Sequence, residues 1–446
     1  MSAIPEDELR SLVRRGRVHR RVYADPGIFA LEMERIFARS WLYVAHESQL
    51  RKPGAFLRSR LGTEEVIVAR GSDGAVHVLA NRCAHRGARL CVVERGTAER
   101  FACPYHAWSF RLDGTLEAVP HPSSYGKSLD IDDAANHLAR APRVASYRGF
   151  LFASLVPDGP PLDEHLGPLC AAIDNLIDRA PDGEVEIAGG GFRVAYRGNW
   201  KFHQENANDT IHPGIVHESS VEAGRQAALR DDAPDGNQTK LQLQSNGFTR
   251  REWDSLGLVG FDSGHAFMGG FYADGVLSPG ADDPVSTAYR QCLVAAHGET
   301  RAAEILAVDT FNNLIFPNVS LNAQYQQIRV VHPIAPDRSV VHAQCFRLKG
   351  APEPMFERAV HFLSTLNSPA SMIFADDVEI FDRCSAGLAD AHGGDWVNVA
   401  RGIDSDAVRA EGGRASSGAS ELPMRAQFTA WLAYMTAGSM TAGSNP

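Results

Sequence analysis

The sequence predicts an α+β protein in which a small all-β module interrupts a larger α+β domain. From about Trp41 to about Leu155, short apolar strands are separated by glycine-containing turns, including Gly71–Gly74 and Asp113–Gly114. Before this stretch the apolar residues recur at helical spacing, and after Pro157 helical and strand-like patterns alternate. These two changes of pattern predict the module.

The elements of the larger domain follow from the same periodicity. We expect a helical stretch before Ser40, helices over 162–180 and 353–366, and strands over 191–196, 318–332 and 339–348. The small polar residues TAGSMTAGSNP predict a frayed tail. The expected parts are 1–40 (N-terminal helical part of the larger domain), 41–155 (β module), 156–435 (remainder of the larger domain) and 436–446 (flexible tail).

Composition narrows the class of protein. With 446 residues, 44% hydrophobic and 22% charged, the sequence has the composition of a soluble globular enzyme. A net charge of −10 argues against a nucleic-acid or anionic-membrane binder, and no apolar run approaches the roughly 18 residues of a membrane span. The first residues, MSAIPEDELR, lack the apolar core of a signal peptide. With seven scattered cysteines, these features predict a cytoplasmic protein whose thiols bind metal or are buried.

The β module contains two similar metal-binding patterns. Cys83-Ala84-His85 and Cys103-Pro104-Tyr105-His106 are separated by seventeen residues, and each half supplies one cysteine and one histidine. A common zinc finger would place both cysteines in one half and both histidines in the other. The mixed arrangement suits a [2Fe–2S] cluster in which two thiolates hold one iron and two imidazoles hold the other. A zinc site is the alternative.

A second candidate metal site lies in NWKFHQENANDTIHPGIVH, residues 199–217. Asp209 and His212, three residues apart, share one face of a helix. His212 and His217 point about 140° apart on an unbroken helix, so they converge only if it breaks at Pro213-Gly214. Two imidazoles, joined by one carboxylate from elsewhere in the chain, would form a facial triad that binds Fe(II) and leaves coordination positions open. Alone, the segment also fits a polar helix end with two surface histidines.

These motifs carry a resemblance to a known family. NRCAHRGARLC…FACPYHAWSF resembles the Rieske signature, and about 24–386 of the chain is similar to the large (α) subunit of Rieske non-haem iron ring-hydroxylating oxygenases. The resemblance implies a Rieske [2Fe–2S] domain inserted in a catalytic domain whose antiparallel sheet is flanked by helices (helix-grip, START-like). It also implies one Rieske cluster and one mononuclear Fe(II) per chain.

The resemblance assigns metal ligands residue by residue. It makes Cys83, His85, Cys103 and His106 the cluster ligands, and His212 and His217 the imidazole ligands of the iron. The segment MIFADDVEIFDRC is similar to the family's acidic element, and its register points to Asp377 as the carboxylate ligand. Asp376 is the alternative, since either acid also suits a helix start.

Two further residues match positions with catalytic roles in the family. Asp209 corresponds to the aspartate that lies between a Rieske histidine of one subunit and an iron histidine of the next, which here are His106 and His212. Asn206 resembles an asparagine near the iron. One departure is Ile211, because the family often has a tyrosine immediately before the first iron histidine.

The resemblance implies a terminal oxygenase that inserts oxygen from O2 into an aromatic substrate. The chain lacks a GxGxxG nicotinamide motif, so a separate NAD(P)H reductase, with or without a ferredoxin, must supply electrons. A homotrimeric core, or an α3β3 assembly with a small subunit, is also implied. The segments SYRGFLFASL and DDVEIF look most like members that act on benzoate-type acids, and Arg329 and Arg347 are candidate partners for a carboxylate.

Three outcomes remain open on this scaffold. The first is cis-dihydroxylation, and the second is monohydroxylation or oxidative O- or N-demethylation with the same iron site. The third is a non-catalytic Rieske electron carrier or ligand-binding protein. Iron content separates the third from the others, since the enzyme needs three irons per chain and the carrier only two.

Overall fold

The computed structural model describes residues 4–189, 191–229, 246–269, 283–371, 373–390 and 392–437. The chain folds as two compact units, Phe37–His165 and Met1–Ile36 with Leu166–Pro446. The predicted tail, 436–446, lies outside the described residues from residue 438 onward. Among the described residues, no helix is long and apolar enough to cross a membrane.

The strands, in chain order, are β1 Val13–Arg14, β2 Arg17–His19, β3 Leu42–His46, β4 Ala55–Leu61, β5 Glu64–Arg70, β6 Val76–Ala80, β7 Arg95–Thr97, β8 Phe101–Ala102, β9 Ser109–Phe110, β10 Leu116–Ala118, β11 Arg143–Tyr147, β12 Phe150–Ser154, β13 Val185–Ile187, β14 Phe192–Arg197, β15 Gly257–Gly260, β16 Ala266–Gly269, β17 Phe311–Ile315, β18 Val319–Asn322, β19 Gln327–Ala335, β20 Arg338–Leu348, β21 Trp396–Asn398, β22 Ala407–Val408 and β23 Arg414–Ser417. The helices are α1 Glu6–Ser11, α2 Arg21–Ala24, α3 Pro26–Glu32, α4 Leu162–Leu166, α5 Cys170–Asp178, α6 Trp200–Ala207, α7 Pro213–Val216, α8 Glu218–Ala228, α9 Arg250–Ser255, α10 Pro284–His297, α11 Glu299–Ala307, α12 Glu353–Leu366, α13 Phe374–Ala389 and α14 Leu422–Thr436.

The unit Phe37–His165 is built from small antiparallel sheets, as the sequence predicts. Their orders are β6-β5-β4-β7, β10-β9-β8 and β11-β12-β3. A core of buried apolar side chains, including Ile67, Leu79 and Phe110, also contains Cys83 and Cys103. The two cysteines are therefore anchored in the packed interior of this unit.

The larger unit is organised around one long antiparallel sheet. Its order is β13-β20-β19-β18-β17-β16-β15-β23-β22, and β14 also pairs with β20. Helices α6, α12, α13 and α14 pack against strands of this sheet. The predicted α+β class, with an antiparallel sheet flanked by helices, is confirmed.

Several predicted elements differ in detail. Part of the stretch before Ser40 forms a hairpin, β1–β2, because Gly16 turns the chain with a φ of +68° and β2 then pairs with β21. The predicted strand over 318–332 is two strands, β18 and β19, joined by a turn. The helix over 162–180 divides into α4 and α5 at the Pro168 turn, whereas α12 has the predicted bounds 353–366.

A buried ion pair joins α6, the first helix of the segment 199–217, to the N-terminal helix α3. Lys201 of α6 and Glu32 of α3 are both fully buried, with 2.5 Å between Nζ and Oε1. The indole N–H groups of Trp200 and Trp431 donate to the two oxygens of Glu32, and Lys201 also donates to the Val22 carbonyl. Each charge is thus compensated in a dry environment.

We expect Lys201→Met to lower the free energy of unfolding by about 3–5 kcal/mol, because it leaves the Glu32 carboxylate buried without a counter-charge. Urea denaturation followed by circular dichroism measures this loss. The matched control is Lys349→Met, which removes a partly exposed pair with Glu184 and should cost less than about 1 kcal/mol. Equal effects of the two substitutions would contradict the expectation.

Candidate metal centres

The two cysteine-histidine motifs fold into loops of the same geometry. The Cys83 N–H donates to the Ala88 carbonyl and the Gly87 N–H to the Cys83 carbonyl; Cys103, Ala107 and Trp108 repeat this pattern. The fourth residue after each cysteine has positive φ, +73° at Gly87 and +54° at Ala107. The loops therefore present their cysteines in equivalent ways, whereas His85 follows its cysteine by two residues and His106 by three.

The loops bring together four potential metal donors. Cys83 and Cys103 are 2% and 5% exposed, and the rings of His85 and His106 lie 4.8 Å apart between centroids. The Nδ1 atoms of both rings are buried, and neither has a hydrogen-bond partner among the described residues. Because buried polar atoms are normally paired, two buried thiols beside two orphaned nitrogens fit a bound metal cluster.

The surroundings of Cys83 suit a thiolate bound to metal. Burial raises the pKa of the Cys83 thiol and the neighbouring Cys103 adds to this, whereas hydrogen bonds from the backbone of His85 and Arg86 lower it. These N–H groups are directed at the sulfur, which is how a protein stabilises negative charge on a cluster. The ring of His85 stacks on Trp108 at 4.8 Å, which orients it.

The second motif differs locally from its prediction. Helix α6 ends at Ala207, so Asp209 and His212 do not share a helical face. The break precedes His212, and Pro213 begins α7 because its missing N–H costs nothing at the first helical position. His212 and His217 cap the two ends of this four-residue helix, with ring centroids 5.3 Å apart. The histidines thus converge, but the expected break between them is absent.

Asp377 completes the group from the first turn of α13. Its Oδ1 lies 3.3 Å from His217 Nε2 and 3.6 Å from His212 Nε2, and the three potential ligand atoms lie within 4.8 Å of one another. Asp376 points elsewhere, with its Oδ2 3.4 Å from His217 Nδ1. Asp377 can therefore ligate a metal, while Asp376 can orient the ring of His217 from behind.

Asn206 contacts two of the three side chains, and the charges of the three shift one another's pKa values. The Asn206 Nδ2 donates to Asp377 Oδ1 at 3.0 Å and lies 3.1 Å from His212 Nε2. Burial lowers the pKa of His212; at His217 the hydrogen bond and charge of Asp377 outweigh burial and raise it. Burial alone would raise the pKa of Asp377, but the two histidines and Asn206 hold it low. The site therefore favours one carboxylate with two imidazoles, which fits a facial triad.

Comparison with known proteins decides the family. A profile described as the Rieske [2Fe-2S] domain matches residues 40–147, and one described as the ring hydroxylating alpha subunit (catalytic domain) matches residues 183–438. The chain belongs to the alpha subunits of the Rieske ring-hydroxylating oxygenases. The predicted resemblance is confirmed.

Individual relatives cover most of the chain. It is 32% identical to the toluate 1,2-dioxygenase subunit alpha of Pseudomonas putida, over 90% of this chain and 84% of that one. It is 33% identical to the 2-halobenzoate 1,2-dioxygenase large subunit of Burkholderia cepacia, over 86% and 80%. A solved naphthalene 1,2-dioxygenase with indole in its active site superposes with a TM-score of 0.80 at 26% identity, covering 95% and 94%.

As a ring-hydroxylating oxygenase subunit, the chain has one Rieske [2Fe–2S] cluster and one mononuclear Fe(II) as its cofactors. The donor atoms described above fit both groups. A subunit of this kind is a terminal oxygenase that receives its electrons from other proteins.

Asp209 lies at the edge of the oxygenase site in the turn after α6. Its Oδ1 accepts hydrogen bonds from the Ile211 N–H at 2.8 Å and from Arg401 Nη2 at 3.2 Å. Arg401 is held in turn by the Ala419 carbonyl and by Glu421. One carboxylate oxygen of Asp209 is thus fixed, and Oδ2 has no hydrogen-bond partner among the described residues.

The three potential iron ligands open onto a cavity of the larger unit. Its lining combines apolar, partly aromatic side chains with amides and a single arginine. The apolar side chains are Trp253, Met268, Phe311, Phe362, Leu366 and Ile373; the polar ones include Asn312, Asn322, Gln327 and Arg329. Such a lining suits an aromatic ring that carries a polar substituent.

Sequence reasoning missed two features of this site. Arg401, the partner of Asp209, belongs to no motif and is far from Asp209 in the chain, so nothing local could identify it. The lining residues Trp253, Phe362 and Ile373 were also missed, since apolar residues on helices or next to them are usually core. Met268 and Phe311 also line the cavity.

Proposed function

We propose that this oxygenase subunit adds both atoms of O2 to an aromatic carboxylic acid and so forms a cis-diol. The observation that carries the proposal is the cavity: the three potential iron ligands line it together with aromatic side chains and one arginine. The names of the toluate and 2-halobenzoate dioxygenase relatives support an aromatic acid as substrate.

The proposed roles follow from the donor geometry. Cys83, His85, Cys103 and His106 would hold the cluster, with 41–155 as the electron-accepting domain and 1–40 with 156–435 as the oxygenating one. His212, His217 and Asp377 would hold the iron, and Asn206 would stabilise the negative charge of Asp377. When bound, the cluster supplies electrons one at a time and the iron supplies activation of O2.

The protein's own residues position the substrate and balance charge. The arene and O2 take up two electrons and two protons to form the diol, and a separate NAD(P)H reductase supplies the electrons. The apolar side chains of the cavity would exclude water and hold the ring beside the three ligands. Asp209 would link the sites of neighbouring protomers by accepting hydrogen bonds from His106 of one and His212 of the next.

The assembly and location are also part of the proposal. We infer a homotrimeric core, with or without a small second subunit, because the assigned role of Asp209 requires a neighbouring protomer. The reductase would pass its electrons to the oxygenase either directly or through a ferredoxin. Seven free cysteines favour a reducing cytoplasm.

Turnover under ¹⁸O2 tests the function. Purified protein, supplied with NADH and a reductase of this class, is expected to convert benzoate or toluate to a cis-diol that carries two ¹⁸O atoms. A product with one ¹⁸O atom would indicate monohydroxylation, and formaldehyde from an N- or O-methyl substrate would indicate demethylation. A protein with three irons that oxidises no arene would refute the proposal.

A further inference from the structure

Arg329 is an unusual side chain in the oxygenase cavity. It is the third residue of β19, where it pairs with Ser320 of β18 and Ala343 of β20, and it lines the same cavity as the three potential iron ligands. Its Nη2 donates to Asn312 Oδ1 at 2.6 Å and to Ser320 Oγ at 3.1 Å. Among the described residues, no carboxylate forms an ion pair with it.

Within the described part of the chain, this cation lacks a carboxylate of its own. Burial lowers the pKa of Arg329 to about 10, which still leaves it protonated at neutral pH. The carboxylate that acts on it is Asp377, but that group already serves His212 and His217 and is the proposed anionic ligand of the iron. Because desolvated charges are normally paired, an anion that enters the cavity would be the partner of Arg329.

Arg347, on the neighbouring strand β20, differs from Arg329 because carboxylates pair with it. Its guanidinium pairs with Glu186 at 3.3 Å and Glu353 at 2.8 Å and lies over the ring of Phe356. It does not line the cavity, and its charge is already compensated. Of the two arginines considered as carboxylate partners, only Arg329 is available to a substrate.

The geometry points to Arg329 as the anchor for the substrate carboxylate, and hence as the residue that selects aromatic acids over neutral arenes. This inference rests on the proposed function. The bonds to Asn312 and Ser320 fix the guanidinium in advance and leave Nε and Nη1 to donate to a ligand. With its carboxylate held there, the ring would lie in the cavity that Phe311, Trp253 and the three ligands also line.

The test is equilibrium binding by calorimetry to the anaerobic, iron-loaded protein, with benzoate and the neutral benzamide as probes. We expect Arg329→Gln to weaken benzoate binding about 10- to 30-fold, because charge-assisted hydrogen bonds are lost, and to change benzamide binding less than about threefold. Arg329→Lys should restore most of the affinity. Arg347→Gln, the matched control, should bind both probes as the wild type does.

Two further comparisons keep the test decisive. Wild-type protein should bind benzoate about 10- to 30-fold more tightly than methyl benzoate, a comparison that needs no variant. Equal affinity for acid and ester would overturn the anchor, as would unchanged benzoate binding by Arg329→Gln. Equal loss of benzoate and benzamide would assign Arg329 a merely structural role.

Failure of the anchor and failure of the proposed function give different results. If benzoate binding depends on Arg329 but no oxygenated product forms, the proposed reaction fails and the anchor stands. If the protein oxidises arenes while benzoate binding is independent of Arg329, the anchor alone fails. The ratio of diol isomers formed by Arg329→Lys adds a second readout, since a displaced carboxylate should shift which ring carbons are oxidised.

Discussion

Asp377→Ala is expected to lower the iron content from three to two per chain and to reduce turnover by at least about a thousandfold. The substitution removes the only carboxylate oxygen that lies within 3.6 Å of both His212 Nε2 and His217 Nε2 among the described residues. Two imidazoles alone leave the bound cation without a neutralising charge and with one ligand fewer. Iron analysis together with the visible spectrum measures the change, and the Rieske absorption should persist.

Asp376→Ala is the control for Asp377. Its carboxylate faces His217 Nδ1 at 3.4 Å, so its loss should weaken iron binding by only about 10- to 100-fold, as for other groups that orient a ligand. If Asp376→Ala instead removes the third iron while Asp377→Ala keeps it, the two acids exchange roles and Asp377 is not the ligand.

Asp209→Asn should retain all three irons and the cluster spectrum, yet lower steady-state turnover by about 100-fold. The amide keeps the size of the side chain but loses the negative charge that faces Arg401 and the acceptor capacity of one oxygen. If Asp209 links an imidazole of each protomer, this loss slows electron transfer and leaves metal binding intact. Rapid mixing of the reduced protein with substrate and O2, followed through the cluster absorption, measures the step directly.

The control for Asp209 is another aspartate paired with arginine. Asp404 pairs with Arg15 on the surface, with both side chains more than 70% exposed, so Asp404→Asn should behave as the wild type. Reoxidation of the cluster at the wild-type rate in Asp209→Asn would remove the coupling role. Loss of the mononuclear iron in that variant would show a structural role instead.

The sequence by itself determined the chemistry of both candidate sites. Residue type and short spacing decide which donors a loop can offer, so Cys83-x-His85 and Cys103-x-x-His106 pointed to a mixed-ligand cluster before any fold was known. It also determined the helix over 353–366, because a long amphipathic stretch between a proline and a polar segment has few alternatives. Local physics suffices for features of this kind.

Tertiary structure alone decided which distant residues meet and how. His212 and His217 converge from the two ends of the four-residue helix α7, an arrangement that periodicity does not reveal. Asp377 was distinguished from Asp376 by the face of α13 that meets the histidines. Arg329 and Arg347 look alike in the sequence and lie on neighbouring strands. Arg329 lines the cavity, whereas Arg347 pairs with two glutamates. The direction and the partners of a side chain depend on how the whole sheet packs, and they cannot be read from the spacing of residues along the chain.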